Sequence, residues 1–275
     1  MKHTFSKYHS AGNDFILLDN FTQPISPTTT TNLCNRHTGI GADGILLSSP
    51  DPNAHARMTI YNADGSPAAM CGNGLRCLAF HLASKLHTTP MSAPITIATA
   101  SGIKTCLVYL DPPSSQATTT AFMGTCSEPI PQTLHINGTP IHLLTTSIGN
   151  PHAIVLNPPP DIDFAETAPL IAHHPSFPDG VNVTFATLGT ESLHARVWER
   201  GVGPTLACGT AACALAAVAV HRQLMPTNTP INIRLPGGPL NVTITADFAA
   251  ILSGTTHRVF EGTLTIPSET TTRRP

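Results

Sequence analysis

The chain repeats itself. Ala63-Asp64-Gly65-Ser66-Pro67 leads into Met70-Cys71-Gly72-Asn73-Gly74, and Arg200-Gly201-Val202-Gly203-Pro204 leads into Ala207-Cys208-Gly209-Thr210-Ala211. The two cysteines stand 137 residues apart, as do Pro67 and Pro204, and Tyr61 and Trp198. The same offset carries Gly12-Asn13 onto Gly149-Asn150, each followed by an apolar stretch. With a slip of one residue it carries Asp43-Gly44-Ile45 onto Asp179-Gly180-Val181. Blocks kept in order across half a chain imply two halves of like architecture.

Short strand patterns bounded by turn residues fill both halves. In the first they are Ile16 to Leu18, Met58 to Tyr61, Ile95 to Ala98 and Thr105 to Leu110. In the second they are Thr133 to Ile136, His142 to Thr145, Ala153 to Leu156, Ala195 to Trp198, Ile231 to Arg234 and Leu240 to Ile244. Each half carries one helical pattern, starting at its cysteine: Gly72 to about Leu86, and Gly209 to about Leu224. The second is apolar almost all round, which marks a buried helix and not an amphipathic surface one. The expectation is an α+β fold of two pseudo-symmetric halves. Each is a strand-rich sheet or barrel wrapped around a buried central helix, with the active site in the cleft between them. The expected boundaries are 1–116 for the half carrying Cys71 and 117–256 for the half carrying Cys208. Residues 257–275 would form a C-terminal return segment and tail packed on the N-terminal half. Pro112 to Ser115 and Pro158 to Pro160 read as loops, and the polar tail from Ser268 as frayed.

Composition narrows the function classes. Of 275 residues only 11% are charged, and the formal charge is −2, so there is no basic footprint for nucleic acid or an anionic membrane. No segment reaches the ~20 apolar residues of a membrane helix. The N-terminal residues contain no continuous apolar run of the secretory type, so a cytoplasmic protein is expected. The seven cysteines (34, 71, 77, 106, 126, 208 and 213) are odd in number and form no C-x-x-C pair. That argues against a disulfide framework and against a zinc ribbon. Cys34, Cys77, Cys106, Cys126 and Cys213 read as small buried hydrophobes.

Cys71 and Cys208 read differently, because each is followed by glycine and a small polar residue where a helix begins. The first amides of a helix lack intrahelical partners and lie at the positive end of its dipole. They can hold a carboxylate, and glycine lets that ligand approach the backbone. A thiol there is pushed toward thiolate, with pKa values of roughly 3.5 to 7.5 in such settings. Two such helix starts face to face would put one sulfur on each side of a substrate α-carbon. One would remove the α-proton and the other deliver one from the opposite face, inverting the centre.

The sequence resembles the diaminopimelate epimerases. The likeness lies in residues 9–15 (HSAGNDF), 38–43 (TGIGAD), 61–66 (YNADGS), 71–77 (CGNGLRC), 149–152 (GNPH), 198–201 (WERG) and 207–210 (ACGT). It implies an isomerase of lysine and peptidoglycan-precursor synthesis, converting LL- to meso-diaminopimelate with neither pyridoxal phosphate nor metal, and a homodimer. It implies acid/base roles for Cys71 and Cys208, with His152 beside them helping to set their ionisation. Gly72, Asn73, Gly209 and Thr210 would hold the reacting carboxylate, and Glu199 the reacting ammonium. Asn13, Asn62, Asn150, Asn182 and Arg200 would bind the substrate, chiefly its distal end. Taken alone, Asn13, Asn62 and Asn150 would read as turn residues.

One departure stands out. The family commonly carries Gln where this chain has Gly44, so a roomier pocket with one polar partner fewer is expected there. Relaxed specificity, extending to glutamate, would follow. Three rivals remain: a proline or hydroxyproline racemase of the same architecture, a phenazine-synthesis type of isomerase, and a non-catalytic dithiol protein. Arg200 with the Asn set disfavours the first, and the thiol pair disfavours the second. The third requires a Cys71–Cys208 disulfide in the working state.

Overall fold

The computed structural model of the chain describes residues 2–68, 70–86, 94–110 and 115–266. The tail from Ser268 and loop residues 112–114 lie outside the described residues. The first half runs β1 (Lys2–Ser10), β2 (Asn13–Leu18), α1 (Pro27–Cys34), β3 (Gly44–Ser49), β4 (Ala56–Asn62), β5 (Pro67–Ala68), α2 (Gly72–Lys85), β6 (Ile95–Thr99), β7 (Gly102–Leu110) and β8 (Gln116–Thr125). The second runs β9 (Ile130–Ile136), β10 (Thr139–Ser147), β11 (Pro151–Leu156), α3 (Phe164–Ala172), β12 (Asn182–Leu188), β13 (Ser192–Glu199), β14 (Gly203–Thr205), α4 (Gly209–His221), β15 (Ile231–Leu235), β16 (Gly238–Ile244) and β17 (Ala249–Thr265).

The repeat is carried by the elements themselves. β1 and β10 begin 137 residues apart, as do α1 and α3, and α2 and α4. The pairing repeats as well: β2 runs parallel to β3 and β4 to β6, while β11 runs parallel to β12 and β13 to β15. In the first half, strands β1, β2, β3, β4, β6, β7, β8 and β17 pair in sequence, and β17 returns to β1 to close a ring of eight. The fold is therefore of the α+β class expected, with few helices.

α2 packs against all eight strands of that ring and so fills its interior. An eight-stranded barrel has an interior that side chains must occupy. α4 packs on β10, β11, β12, β16 and β17, with every residue from Gly209 to Val220 buried. Its Ala-rich surface lets the strands approach closely, and Leu215 is fully enclosed. Truncating such a leucine costs roughly 2–5 kcal/mol. Among the described residues no helix is long and apolar enough to cross a membrane.

Each half has a second helix beyond the one read from sequence. α1 is built on a threonine run of modest helix propensity. It forms because the Ser26 hydroxyl caps the Thr29 amide and Pro27 opens the first turn. In α3, Asp163 caps Glu166 in the same way, and Phe164, Ala168 and Ile171 face inward. Both helices lie outside the sheet, α1 on β3 and α3 on β9, β12 and β13.

Candidate active site

The backbone is extended at Cys71 (φ −142°, ψ 113°) and at Cys208 (φ −131°, ψ 117°), and each is the residue immediately before its helix. The cysteines thus sit at the free amides, as expected from the Cys-Gly-small-polar pattern. The Gly74 amide donates to Cys71 Sγ at 3.4 Å, and Cys208 Sγ lies 3.4 Å from Thr210 Oγ1. The two helix starts abut. A methyl group built on Gly209 would fall 3.3 Å from the Gly72 Cα, and one built on Gly72 would fall 3.5 Å from the Gly209 Cα. The second distance is ordinary contact and the first is tight, so it is Gly209 whose lack of a side chain this approach uses most.

Polar side chains connect the two cysteines. The Cys71 thiol donates to Asn13 Oδ1 at 3.6 Å, and that oxygen also accepts from Asn73 Nδ2 at 3.3 Å. Asn73 Nδ2 reaches across the seam to the Ala207 carbonyl, 3.3 Å away and next to Cys208. On the other side Asn150 Nδ2 donates to Thr210 Oγ1 at 3.4 Å, and Asn150 Oδ1 lies 3.1 Å from His152 Nε2. Half-buried Glu199 accepts from Thr205 Oγ1 at 2.7 Å and from the Cys208 thiol. Asn182 accepts the Arg200 amide at 3.0 Å and donates to the Pro151 carbonyl at 3.0 Å, opposite His152 in the β11–β12 register.

Two expected residues stand apart. Asn62 bonds Ser66 of its own turn at 3.0 Å, and the amide of the next residue, Ala63, donates to the carbonyl of Asp43, whose side chain accepts from Asn13. The exposed Arg200 guanidinium donates to the Asp179 carbonyl at 2.9 Å, though its charge is felt at His152.

Burial governs the ionisation here. The Cys71 thiol is pushed up to about 11 by desolvation, partly offset by the Gly74 amide and reinforced by the Glu199 charge. Cys208 is likewise raised, by burial and then by Glu199. The expectation of a thiolate at a helix start is therefore corrected for the free protein. Loss of water outweighs a few amide dipoles, and both sulfurs are protonated at neutral pH. Burial also lowers His152 to about 3, with the Arg200 charge adding to it. His152 is neutral, fully enclosed, and a hydrogen-bonding partner of Asn150. Burial raises the Glu199 carboxyl, and its bonds from Thr205 and Cys208 oppose that.

Gly44 also departs from expectation. A methyl group there would lie 2.5 Å from the Tyr61 carbonyl oxygen, so β3 and β4 close over the position and leave no added room. The premise of a roomier pocket at Gly44 does not hold.

Four supporting residues were given no role from the sequence. Asp43 Oδ2 accepts from Asn13 Nδ2 at 2.9 Å, and Arg36 pairs with both Asp43 and Asp14 at 2.7 Å. Thr205 fixes Glu199. Arg76, fully buried, holds Asn73 Oδ1 at 2.7 Å. Its sequence signal was a charge inside a helix expected to be enclosed.

Comparison with known proteins agrees with the geometry. The family model for diaminopimelate epimerase matches the chain twice, over residues 5–121 and 144–260, once in each half. A diaminopimelate epimerase of Synechococcus elongatus is 38% identical over 281 residues, covering 94% of this chain and 97% of its own. That of Synechocystis is 39% identical over 283 residues, covering 94% and 98%. Among solved structures, a hydroxyproline epimerase of Agrobacterium vitis with bound trans-4-hydroxy-L-proline superposes with a TM-score of 0.77 at 14% identity, covering 96% of this chain and 92% of its own. A phenazine biosynthesis protein of Bacillus anthracis superposes with a TM-score of 0.71 at 16% identity, covering 97% and 100%. These last two share the fold.

Proposed function

The chain belongs to the diaminopimelate epimerase family and is an amino-acid epimerase, and from that premise we propose that it converts LL- to meso-diaminopimelate by exchanging the α-proton between Cys71 and Cys208. The observation that carries the reading is the meeting, at Gly72 and Gly209, of two helix starts that each follow directly on a cysteine. The first amides of both helices, from Gly72, Asn73, Gly209 and Thr210, would serve a single carboxylate held where the two helix starts abut. Glu199, beside Cys208, is suited to the ammonium on the same α-carbon.

Arrival of that ammonium solves the ionisation problem. Glu199 raises both thiols while it is uncompensated. A cation on Glu199 removes that effect, and the amides then favour one thiolate. The thiolate takes the α-proton, and the Cα–H pair becomes a carbanion delocalised into the carboxylate, which the helix starts stabilise. The opposite thiol gives its proton to the other face, and the two sulfurs have exchanged charge. Neutral His152 holds Asn150, which holds Thr210 beside Cys208. Asn13 and Asn73 do the same beside Cys71. Asn182, which holds the Arg200 amide, would lie toward the distal side, and the Arg200 fork, on leaving the Asp179 carbonyl, would suit a second carboxylate there, while Asn62 stays in its own turn.

The test is incubation with LL-diaminopimelate in deuterium oxide under reducing conditions. Deuterium entering the α-position as the meso isomer forms is the expected result. Cys71→Ser and Cys208→Ser should each lose turnover, and unchanged turnover in both defeats the proposal.

A further inference from the structure

Arg76 presents a charge that the reaction as derived above does not use. It lies inside the first barrel, fully buried, one turn past Cys71 on α2. Nη2 donates to Asn73 Oδ1 at 2.7 Å, while Nε and Nη1 have no hydrogen-bond partner among the described residues. The ionisable groups that face it are thiols: Cys71 and Cys77 on its own helix, Cys106 of β7 and Cys213 of α4. None of the ion pairs among the described residues includes it. The barrel is shaped to hold it, because a methyl on Gly254 of β17 would come within 2.5 Å of Nη1. Burying a guanidinium without a counter-charge is costly. An anion formed or bound nearby would repay it, and the nearby anions of this reaction are a thiolate and a substrate carboxylate.

Asn73 is the connection. Its oxygen is held by Arg76, so its amide nitrogen is aimed at Asn13 Oδ1 and at the Ala207 carbonyl. We propose that Arg76 is a positioning residue for the epimerisation: from behind the helix starts it locks Asn73 across the seam between halves and supplies the positive charge that favours thiolate at Cys71. This rests on the two-thiol reading. The groups facing the Cys71 sulfur are Asn13 of β2, Asn73, Gly74 and Arg76 of its own helix, Glu199 of β13 and Cys208 at the start of α4. Arg76 is the cation among them and opposes Glu199.

The experiment compares wild type, Arg76→Met and Arg76→Lys in deuterium incorporation into LL-diaminopimelate and in iodoacetamide alkylation of Cys71, each followed across pH 6 to 10. Thermal midpoints are recorded beside them. In Arg76→Met the acid limb of kcat/KM and the alkylation curve should both move up by about one pH unit, a loss of about tenfold at pH 7 that higher pH recovers. The thermal midpoint should hold or rise, since an apolar side chain replaces an uncompensated buried charge. Arg76→Lys keeps the charge and should keep the wild-type limb, while kcat falls because the fork to Asn73 is lost. A limb unmoved in Arg76→Met overturns the assignment, and so does an Arg76→Lys limb displaced as far as that of Met. Should Arg76→Met fail to fold, Arg76→Gln, which also removes the charge, is read in its place against the same two outcomes. Wild-type exchange that survives alkylation would instead refute the two-thiol reading. Thiol-dependent exchange with an unmoved limb refutes only the role of Arg76.

Discussion

Gly209 lies against Gly72 so closely that a β-carbon on it would come within 3.3 Å of the Gly72 Cα. The contact brings the two helix starts, and the thiols they carry, to one place. In Gly209→Ala the new methyl would meet the Gly72 Cα at 3.3 Å and Leu252 Cδ2 at 2.9 Å. The leucine tip can rotate, but the backbone cannot. Overpacking of this kind costs about 1–3 kcal/mol, and a displacement of about 1 Å between reacting groups costs roughly a hundredfold in rate. The expected outcome is a lower unfolding midpoint and a kcat down by about that factor, read by calorimetry and by the isomerisation assay.

Glu199 raises both thiols, so removing its charge should separate reactivity from turnover. In Glu199→Gln, iodoacetamide at pH 8 should alkylate the free protein several-fold faster than wild type. Turnover should fall by roughly two orders of magnitude, because the ammonium loses its counter-charge. Slower alkylation in the variant would show that Glu199 does not oppose thiolate formation.

His152 ties stability to pH. Its folded pKa, about 3, lies below the ordinary value of 6.5, because burial disfavours the imidazolium. The unfolded chain therefore binds more protons between those values. The stabilisation is complete above about pH 6.5 and is lost as pH falls toward 3. Between pH 7 and pH 5 the loss should be about 2 kcal/mol. Urea unfolding at both pH values should show this loss in wild type and a clearly smaller one in His152→Gln. The aspartates held low by their cations, Asp14 and Asp19, titrate below this window.

Gly44 is closed over by the Tyr61 carbonyl. Gly44→Gln should therefore push β3 from β4 and lower the unfolding midpoint by several degrees, as overpacking does. A midpoint at or above wild type would mean that the strands part easily enough to admit a side chain.

The halves and their buried helices were legible because the sequence states them twice. Cys71-Gly72-Asn73 and Cys208-Gly209-Thr210 mark helix starts by chemistry that needs no tertiary context, and both helices begin there. The outer helices were harder to see. α1 is a threonine run whose signals are a cap and a proline, and its folding depends on the strand beneath it. Most site residues lay in turn motifs, and the structure ties Asn13, Asn150 and His152 to the thiols while leaving Asn62 in its own turn. What escaped was whatever depends on burial: the raised thiols, the neutral His152, and the closure over Gly44. Desolvation is a property of the assembled interior, and no local pattern in the chain encodes it.

β17 has a consequence for how the protein is made. It pairs with β16 and β8 through its first residues and with β1 through its last, from Ser10 opposite Thr256 to Lys2 opposite Thr265. The first barrel therefore lacks a stave until the final strand leaves the ribosome. The amino-terminal half must wait, open along one side, for residues some 250 positions later. Pairings of such sequence separation are slow to form. The nascent chain thus carries an exposed seam for nearly its whole synthesis, and a truncation that removes β17 would leave both halves unfinished.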